Sequence, residues 1–521
     1  MYSLPKCERS RPGIRCNFCI KRGLEYIGVV EPSVAALDQL TRRYEPLGSR
    51  AEEGRSRQVS SLVIPDAALS EELVELYFRY AHIAFHNLFH QQTFISQVRN
   101  NSIPKILFFG VVSLSARYST HPVFTSIKPW DRGRPYQDET KRLLDLEDTS
   151  LTSIQACMLL AANASAEGDP NTESVYHTIA ARMATLLDLP NMPTESLLEQ
   201  EINTRVWWSL ITTETWNSAT HSLPRLIKPR DTVALPIDES QFAALGYDVP
   251  VPPTDLTIQE TSPRENPQSL VAQMIRLNVL LYDIMLLNAR VVAEQAQGAI
   301  YRELDYSLVH ALDDWVNNLP PQLRYSEENV VHWVEAGLGK MFIIMHINYN
   351  NAGQLLFYQH LHSAQDAEHE APGANTARMF AQRCKQHATN LCDLIYRANQ
   401  QPETEVLYPL AGHILCLASS VQIHTLLFGV DDCEILAAKT RLERNFGIIS
   451  SLNDFWPMTH KSISRLQHFH NACLRSQDDS FRLDTWMLRF LLGFTKDMED
   501  RDGPHEQLSK EFDHLRYLLD I

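Results

Sequence analysis

Two cysteines near the start of the chain have the spacing that a zinc site requires. Cys16 and Cys19 are separated by two residues, which lets two thiolates bind one metal ion from a tight turn. Metal binding would also supply folding free energy to a segment that has no apolar core of its own. A third cysteine, Cys7, lies close by. The segment is also basic, with Lys6, Arg9, Arg11, Arg15, Lys21 and Arg22.

Histidines are the second group of residues that could do chemistry. His82, His86 and His90 recur every four residues and would align on one face of a continuous helix. No acidic residue lies among them to act as a base, and the helix is expected to end before Asn87. We therefore predict partly exposed or hydrogen-bonded histidines. The sequence contains no glycine-rich phosphate loop, nucleophile elbow or H-E-x-x-H motif, so we predict no catalytic residues and no enzyme.

The distribution of charge separates this arm from the rest of the chain. The 521 residues include 47 Lys and Arg against 63 Asp and Glu, a net charge of −16. Residues 1–57 hold 11 basic and 7 acidic residues, whereas the remainder holds 36 and 56. A short basic segment on an acidic body is typical of a protein that meets a polyanion locally, although an ordinary solvated tail has the same signature.

Cysteine usage and hydropathy predict a soluble, intracellular chain. The first residues contain no apolar signal core, because charged side chains interrupt them from Lys6 onward. The uncharged stretch 406–430 is long enough to cross a bilayer, but its proline, histidines and glutamine favour a buried core helix. Six further cysteines occur singly in apolar patterns and are expected to be buried thiols in a reducing compartment. They are Cys157, Cys384, Cys392, Cys416, Cys433 and Cys473.

Beyond the arm, the periodicity predicts an all-α body. Residues 28–68 are polar and show no apolar period, so we predict a flexible linker. Apolar residues then recur with a helical period from Ser70, the expected N-cap, and no strand alternation or fixed repeat is found. The expected helices cover 70–85, 103–117, 151–166, 171–188, 270–284, 304–319, 338–362, 376–399, 407–428, 433–452 and 457–475.

The helices at 151–166 and 171–188 are expected to form an antiparallel pair. Gly168-Asp169-Pro170 has the composition of a tight turn between them. An apolar stripe on the second helix is predicted to face the core. It consists of Val175, Ile179, Met183 and Leu186.

The arm resembles the second half of the fungal binuclear zinc cluster, a DNA-binding module with six cysteines. Lys6-Cys7, the proline at Pro12 and the pair Cys16 and Cys19 match that family's pattern. The resemblance implies that Cys7, Cys16 and Cys19 bind zinc as the third, fourth and fifth ligands, and that a short helix enters the major groove of DNA. It also implies DNA contacts by basic residues of the arm, namely Lys6, Arg9, Arg11, Lys21 and Arg22.

The arm also departs from the family pattern. Tyr26 stands where the sixth cysteine is expected, and the first Cys-x2-Cys with its basic run does not occur in this sequence. Three thiolates cannot complete two tetrahedral zinc sites. Three explanations remain open: a misassigned gene start with a misplaced exon boundary near Tyr26, a regulator that has lost its DNA-reading head, or a basic tail with a coincidental cysteine spacing.

The helical body resembles the fungal-specific transcription factor domain, which accompanies these zinc clusters. The resemblance is carried by four segments in order, 76–90, 180–190, 205–210 and 312–323. It implies a regulatory scaffold that takes up effectors or partners. Three tryptophans, Trp207, Trp208 and Trp216, are expected in the core, with the lining of an effector pocket as the alternative.

We therefore expect four regions: a partial zinc-cluster arm at 1–27, a linker at 28–68, a transcription factor domain at 69–360, and a helical region at 361–521 that continues the same body. The expected function is gene-specific regulation of RNA polymerase II transcription in the nucleus, with zinc as cofactor. Expected partners are DNA, a second copy or related factor in a dimer, and a small-molecule effector, but no membrane. The alternative is a helical protein-interaction regulator that lacks DNA binding and acts as a cofactor or competitor of an intact relative.

Overall fold

The structure, a computed structural model, describes residues 63–82, 86–250, 268–296, 306–362, 374–476 and 480–501. Within these ranges the regular structure is helical, and the single β-bridge joins Ser196 to Pro250. The prediction of an all-α body is therefore confirmed. The predicted arm and all but the last residues of the predicted linker lie outside the described ranges.

The first half of the body contains nine α-helices in the described ranges. They are α1 (Ala67–Tyr80), α2 (Gln91–Arg99), α3 (Lys105–Ser115), α4 (Arg134–Leu143), α5 (Leu151–Glu167), α6 (Pro170–Leu186), α7 (Leu197–His221), α8 (Glu239–Ala244) and α9 (Leu270–Ala296).

The described part of the second half adds eight. They are α10 (Tyr306–Asn317), α11 (Glu327–Glu335), α12 (Gly339–Phe357), α13 (Ala374–Ala398), α14 (Leu410–Phe428), α15 (Asp432–Leu452), α16 (Thr459–Arg475) and α17 (Thr485–Leu492).

Helix α1 begins one turn earlier than the sequence predicts. Asp66 is the N-cap, and its carboxylate accepts a hydrogen bond of 2.9 Å from the backbone N–H of Leu69. Ser70 instead lies inside the helix, buried, with its hydroxyl pointing to the carbonyl of Pro65. The predicted cap at Ser70 was wrong because an aspartate four residues upstream satisfies the first turn.

The turn between α5 and α6 has the predicted position and chemistry. Gly168 ends α5 in the left-handed conformation, with φ of 74°, which a side chain disfavours. Asp169 then caps α6 by accepting a hydrogen bond from Thr172 N–H, and Pro170 occupies the first helical position. The two helices pack along one another, as expected of an antiparallel pair.

The face of α6 that points inward is not the predicted apolar stripe. Val175 is 58% exposed and Leu186 is 69% exposed. Of the four predicted stripe residues only Met183 is buried. The buried face instead carries small and polar residues, namely Glu173, His177, Ala180, Ala181 and Ala184. Small side chains let α6 approach α5 closely, and this proximity outweighs the larger apolar area of the stripe.

This orientation predicts unequal costs for two truncations on α6. Met183→Ala should lower the free energy of unfolding by about 2–4 kcal/mol, because it leaves a cavity in the core. Leu186→Ala should change it by less than about 0.5 kcal/mol, because the side chain is mostly in solvent. Equilibrium denaturation by urea, followed by tryptophan fluorescence, measures both. Equal costs would mean that the predicted stripe faces the core after all.

Two helices, α9 and α14, are long and apolar enough to cross a membrane by length and composition alone. Much of each is buried among other helices: 61% of the apolar window in α9 and 83% in α14. In α14 every residue from Ala411 to Thr425 is buried. This agrees with the prediction that the uncharged stretch 406–430 forms a core helix.

Helices α7 and α9 each pack against several other helices of the body. Helix α7 packs against α6 and α9, and α9 also packs against α12. Helix α17 contacts both α7 and α9, so the end of the described chain returns to the middle of the body. Helices α12, α13 and α14 pack in succession, and α14 in turn packs against α15 and α16.

Candidate effector cavity

A cavity of about 140 Å³ lies between α7 and α9. Its remaining walls come from the loop after α1, the adjoining ends of α5 and α6, and α12. Residues 408–410 at the start of α14 and Phe494 after α17 complete it. Since one water needs about 10–15 Å³ by this measure, the space suits a molecule of about ten non-hydrogen atoms.

One part of the cavity wall is apolar and comes mainly from α9. Phe494 stacks edge-on against the ring of Trp216, with ring centroids 5.9 Å apart. Apolar contact area of this kind is typical of a small-molecule site. The other apolar side chains are Trp208, Val271, Met274, Ile275, Leu277, Leu281 and Ile344.

A buried carboxyl group on α6 lines the opposite part of the cavity. Glu173 lies in the first turn of that helix and is 7% exposed. Burial raises the pKa of its carboxyl to about 8, in spite of a hydrogen bond from the Ser165 hydroxyl, which lowers it. The acids Asp169 and Glu214 raise the pKa further. Glu173 is therefore mainly protonated and neutral at pH 7 when the cavity is empty.

Two more polar side chains face the cavity without a partner. The hydroxyl of Tyr408 is buried and has no hydrogen-bond partner among the described residues. The side chain of Asn348, which is half-buried, also lines the cavity and forms no hydrogen bond within the described part of the chain. A buried polar group is normally hydrogen-bonded, so the unpaired Tyr408 hydroxyl on the cavity wall indicates a place for water or a ligand.

Two other polar side chains on the wall, those of Arg205 and Trp208, are already engaged. Arg205 binds Glu201 at 2.9 Å and donates to the carbonyl of Ile237, also at 2.9 Å. The guanidinium also lies 4.0 Å from the ring centroid of Phe242. The indole N–H of Trp208 donates to the carbonyl of Ala234 at 2.9 Å. Arg205 therefore brings no uncompensated positive charge to the cavity.

The three tryptophans of α7 divide between core and cavity. Trp207 is 1% exposed, packs under the guanidinium of Arg230 and does not line the cavity. Trp208 and Trp216 do line it. The core prediction is therefore confirmed for Trp207 and Trp208, which are both buried, and Trp208 and Trp216 in addition line the cavity.

The histidines at 82, 86 and 90 are structural, as predicted. Nε2 of His82 accepts hydrogen bonds of 3.2 Å from the backbone N–H groups of Leu88 and Phe89. His86 bonds the Tyr77 hydroxyl at 2.9 Å, and His90 bonds the Thr93 hydroxyl at 2.7 Å. All three are buried, not partly exposed. Among the described residues no group of histidine, cysteine or acidic side chains has the arrangement of a metal site.

The residues predicted to bind zinc and DNA cannot be compared with the structure. Cys7, Cys16 and Cys19 lie outside the described ranges, as do Lys6, Arg9, Arg11, Lys21 and Arg22. Five of the other six cysteines are buried thiols, as predicted, whereas Cys433 is exposed at the start of α15.

A larger groove of about 540 Å³ opens between α10, α12 and α13. Its charged residues are already engaged. Asp393 forms a two-point ion pair with Arg441 at 2.9 and 3.0 Å, and Arg324 donates to the carbonyls of Asn317 and Leu319. The cavity at α7 and α9 is the better candidate because it presents unpaired polar groups.

Residues 74–315 match the fungal specific transcription factor domain. This range includes α7, the described part of α9, and all the cavity residues up to Leu281. Over these residues the chain is similar to that domain. The predicted resemblance of the body is thereby confirmed, whereas the zinc cluster is not covered by the match.

Three similar proteins are named as transcription factors or regulatory proteins. An uncharacterized transcriptional regulatory protein of Schizosaccharomyces pombe is 25% identical over 56% of this chain and 32% of its own length. A Zn(2)-C6 fungal-type transcription factor of Fusarium oxysporum is 24% identical over 80% of this chain and 47% of its own length. The acetamidase regulatory protein of Aspergillus fumigatus is 24% identical over 58% of this chain and 36% of its own length. No solved structure matches the chain.

The matched domain and the names of these relatives are those of transcription regulators, which agrees with the prediction of a fungal transcription regulator and not of an enzyme. The aligned part of this chain covers 32% to 47% of the length of these relatives.

The sequence did not identify the cavity residues Glu173, Asn348 and Tyr408. They lie far apart in the chain: Glu173 is on α6, Asn348 is on α12, and Tyr408 lies just before α14. One local signal existed for Glu173, because an acidic residue follows a helix start on a face with His177 and Ala180. A carboxyl group next to small residues indicates a buried position rather than a solvated one.

Proposed function

We propose that this chain is a gene-specific regulator of RNA polymerase II transcription whose helical body binds a small effector in the cavity between α7 and α9. The observation that carries the proposal is the position of this cavity, which lies largely within the transcription factor domain and has unpaired polar groups on its wall. An effector that fills it would contact α7, α9 and the segment after α17 at once. It would thereby alter how these elements pack.

The proposal assigns DNA contact to the arm at 1–27, joined by the linker at 28–68 to the domain at 69–360 and its continuation at 361–521. Cys7, Cys16 and Cys19 would bind zinc, and the thiolates would have to be completed by further ligands. The basic residues Lys6, Arg9, Arg11, Lys21 and Arg22 would contact phosphates, which position a protein on DNA without reading its sequence. Such a regulator acts in the nucleus, as a dimer with a second copy or a related factor.

Tyr26 favours a second candidate function. A tyrosine at the place of the sixth cysteine leaves the zinc cluster without one thiolate, and a tyrosine is not a usual structural zinc ligand. In this case the body would act through protein partners and would not bind DNA directly.

Regulation itself is tested by tethering the full chain to a reporter promoter through an independent DNA-binding module. We expect reporter output to change at least about threefold relative to the module alone. An unchanged reporter would remove both candidate functions.

Direct DNA binding is tested by fluorescence anisotropy with the full chain and duplex DNA. If five basic residues contact phosphates, raising the salt from 50 to 200 mM should weaken binding roughly 10²- to 10³-fold. The paired variant Cys16→Ser with Cys19→Ser should lose bound zinc and DNA affinity together. If the chain changes reporter output but shows no zinc-dependent DNA binding, the result supports the second candidate function, in which the body acts through protein partners.

A further inference from the structure

We propose that the cavity binds a small molecule that carries a protonated amino group beside a short apolar body, with the carboxylate of Glu173 as its counter-ion. This inference rests on the proposed effector site and names the chemistry of its ligand. The observation that supports it is a buried acid on the cavity wall, Glu173, which has no positively charged partner among the described residues.

The position of Glu173 is set by the start of α6. Asp169 caps the helix, and the backbone N–H of Glu173 bonds the Asp169 carbonyl at 3.1 Å. This geometry places the Glu173 side chain inward beside the Ser165 hydroxyl, its hydrogen-bond partner. The carboxyl is therefore buried at the start of the helix, where Ser165 donates a hydrogen bond to it.

No cation among the described residues pairs with this carboxyl group. Arg205, also on the cavity wall, is bound to Glu201. Lys461 of α16 donates to the carbonyls of Gly168 and Thr495 at 3.2 and 2.7 Å. Arg225 lies near Glu214; burial raises the pKa of that second acid, and the positive charge of Arg225 offsets part of the rise.

The remaining titratable groups around Glu173 do not supply a positive charge either. On its own helix, burial lowers the pKa of His177 to about 4. In the loop after α1, burial lowers the pKa of His86 well below its ordinary value. Asp169 on α6 and Glu214 on α7 are acids and oppose ionisation of the Glu173 carboxyl. A buried carboxylate without a counter-ion is costly, so an ammonium group that enters the cavity gains a strong partner.

The rest of the wall suits the remainder of such a ligand. The unpaired Tyr408 hydroxyl and Asn348 amide oxygen can accept N–H donors that the carboxylate does not use. The apolar side chains of Met274, Leu277 and Ile344 offer contact to a short hydrocarbon or aromatic body. With space for about ten non-hydrogen atoms, an arylalkylamine of the size of 2-phenylethylamine fits.

Three probes with one shape and three charges test this proposal: 2-phenylethylamine, 2-phenylethanol and 3-phenylpropanoate. Isothermal titration calorimetry with the full chain at pH 8 should give an amine affinity at least about tenfold above that of the alcohol, as for a charge-assisted hydrogen bond. The acid should bind more weakly than the alcohol. The amine affinity should fall about tenfold per unit as the pH drops from 8 to 6, because Glu173 must release a proton while the ammonium keeps its own.

A second measurement uses the unmodified protein alone. At pH 7, binding of the amine should release close to one proton, seen as a dependence of the apparent enthalpy on buffer ionisation, whereas the alcohol should release none. The variant Glu173→Gln should remove the advantage of the amine over the alcohol, so that the ratio of the two affinities falls to about one. The matched control Glu443→Gln, at an exposed position on α15, should change neither.

The outcomes separate the two proposals. If the alcohol binds but the amine has no advantage, or the acid binds best, the amine proposal is overturned and the effector cavity stands. If none of the three probes binds, the cavity is not a ligand site and both proposals fail. An amine preference that survives in Glu173→Gln would place the counter-ion elsewhere and overturn the assignment to Glu173.

Discussion

Lowering the pH from 7 to 4 should unfold the helical body, because its interior holds many neutral imidazoles. Burial lowers the pKa of seven histidines to about 3 or about 4. They are His82, His177, His346, His360, His387, His413 and His424. In the unfolded chain each has an ordinary pKa near 6.5, so the unfolded state takes up protons first as the pH falls.

The folded protein becomes less stable as the pH falls, because the histidine pKa values are lower in the folded state than in the unfolded state. The stabilisation is fully present above about pH 6.5 and is lost as the pH falls toward the folded pKa values. Each fully buried histidine can cost up to about 3 kcal/mol by pH 4, so a few of them outweigh a total stability of about 5–15 kcal/mol. Circular dichroism with urea denaturation at pH 7, 6, 5 and 4 measures the loss.

His424 offers a clean test of this account. Its two ring nitrogens have no hydrogen-bond partner among the described residues, and the rings of Phe428 and Phe481 lie with centroids 4.8 and 4.9 Å away. His424→Phe should therefore stabilise the protein at pH 5, relative to its effect at pH 7, by about 2 kcal/mol. The exposed control His310→Phe should show no such dependence on pH. A folded protein at pH 4, or equal behaviour of the two variants, would contradict the prediction.

Buried acids have the opposite effect on how the stability of the fold depends on pH. Burial raises the pKa of Glu173, Glu201 and Glu214, and each therefore adds stability at low pH that is lost as the pH rises through its folded value. For Glu173 that loss extends from about pH 4.5 to about pH 8. Glu173→Gln should thus flatten the alkaline side of the stability profile while leaving the acid side to the histidines.

The second large effect is expected at Arg465 of α16. Its side chain is fully buried, and the guanidinium donates to four backbone carbonyls at the end of α17 and just beyond it. These belong to Arg489, Phe490, Gly493 and Lys496, three of them at 2.7 to 3.1 Å. A helix leaves its last carbonyls unpaired and carries partial negative charge there, so this one side chain caps α17.

Arg465→Met should therefore lower the free energy of unfolding by about 3–5 kcal/mol, because it leaves buried carbonyls unpaired. Arg465→Lys should recover only part of this, since an ammonium lacks the planar fork of donors. The control Arg475→Met lies on the same helix, where an exposed ion pair with Asp500 is worth less than about 1 kcal/mol. Urea denaturation measures all three, and equal losses for Arg465→Met and Arg475→Met would contradict the capping role.

The parts of the fold that the sequence predicted are those with local causes. The turn at Gly168 follows from a left-handed glycine, an aspartate cap and a proline at consecutive positions. The core helix α14 follows from a long uncharged stretch. Both signals act within a few residues, so a single sequence carries them in full.

The missed elements depend on contacts that are distant in the chain. Six helices are absent from the predicted ranges: the long helix α7, and five helices of ten residues or fewer, namely α2, α4, α8, α11 and α17. Helix α4 is mostly polar and becomes stable because Tyr136 packs with Leu69, Leu73, Phe109 and Val112 in a shared core. Short helices gain little from their own propensity, so tertiary packing decides whether they form.

The cavity could not be predicted from the sequence either, because it too depends on contacts between residues that are distant in the chain. Trp208 and Trp216 could be named as candidates because aromatic side chains stand out on α7. Glu173, Asn348 and Tyr408 could not, because their shared surroundings arise only when α6, α12 and the start of α14 meet. The inward face of α6 was also misjudged, since periodicity counted apolar area and did not weigh the close approach that Ala180, Ala181 and Ala184 permit.

Phe494 forms part of the cavity wall and lies near the end of the described chain, so it determines when the cavity can form during synthesis. The cavity is complete only after nearly the whole body has been synthesised, so a nascent chain that ends before α17 offers the ligand an incomplete pocket. Because a ligand that binds only the finished fold stabilises it by mass action, a concentration of 100 times its Kd adds about 2.7 kcal/mol. If the proposed effector binds, its supply would set the lifetime of the chain, and the cellular abundance of the protein would report how much of it is occupied.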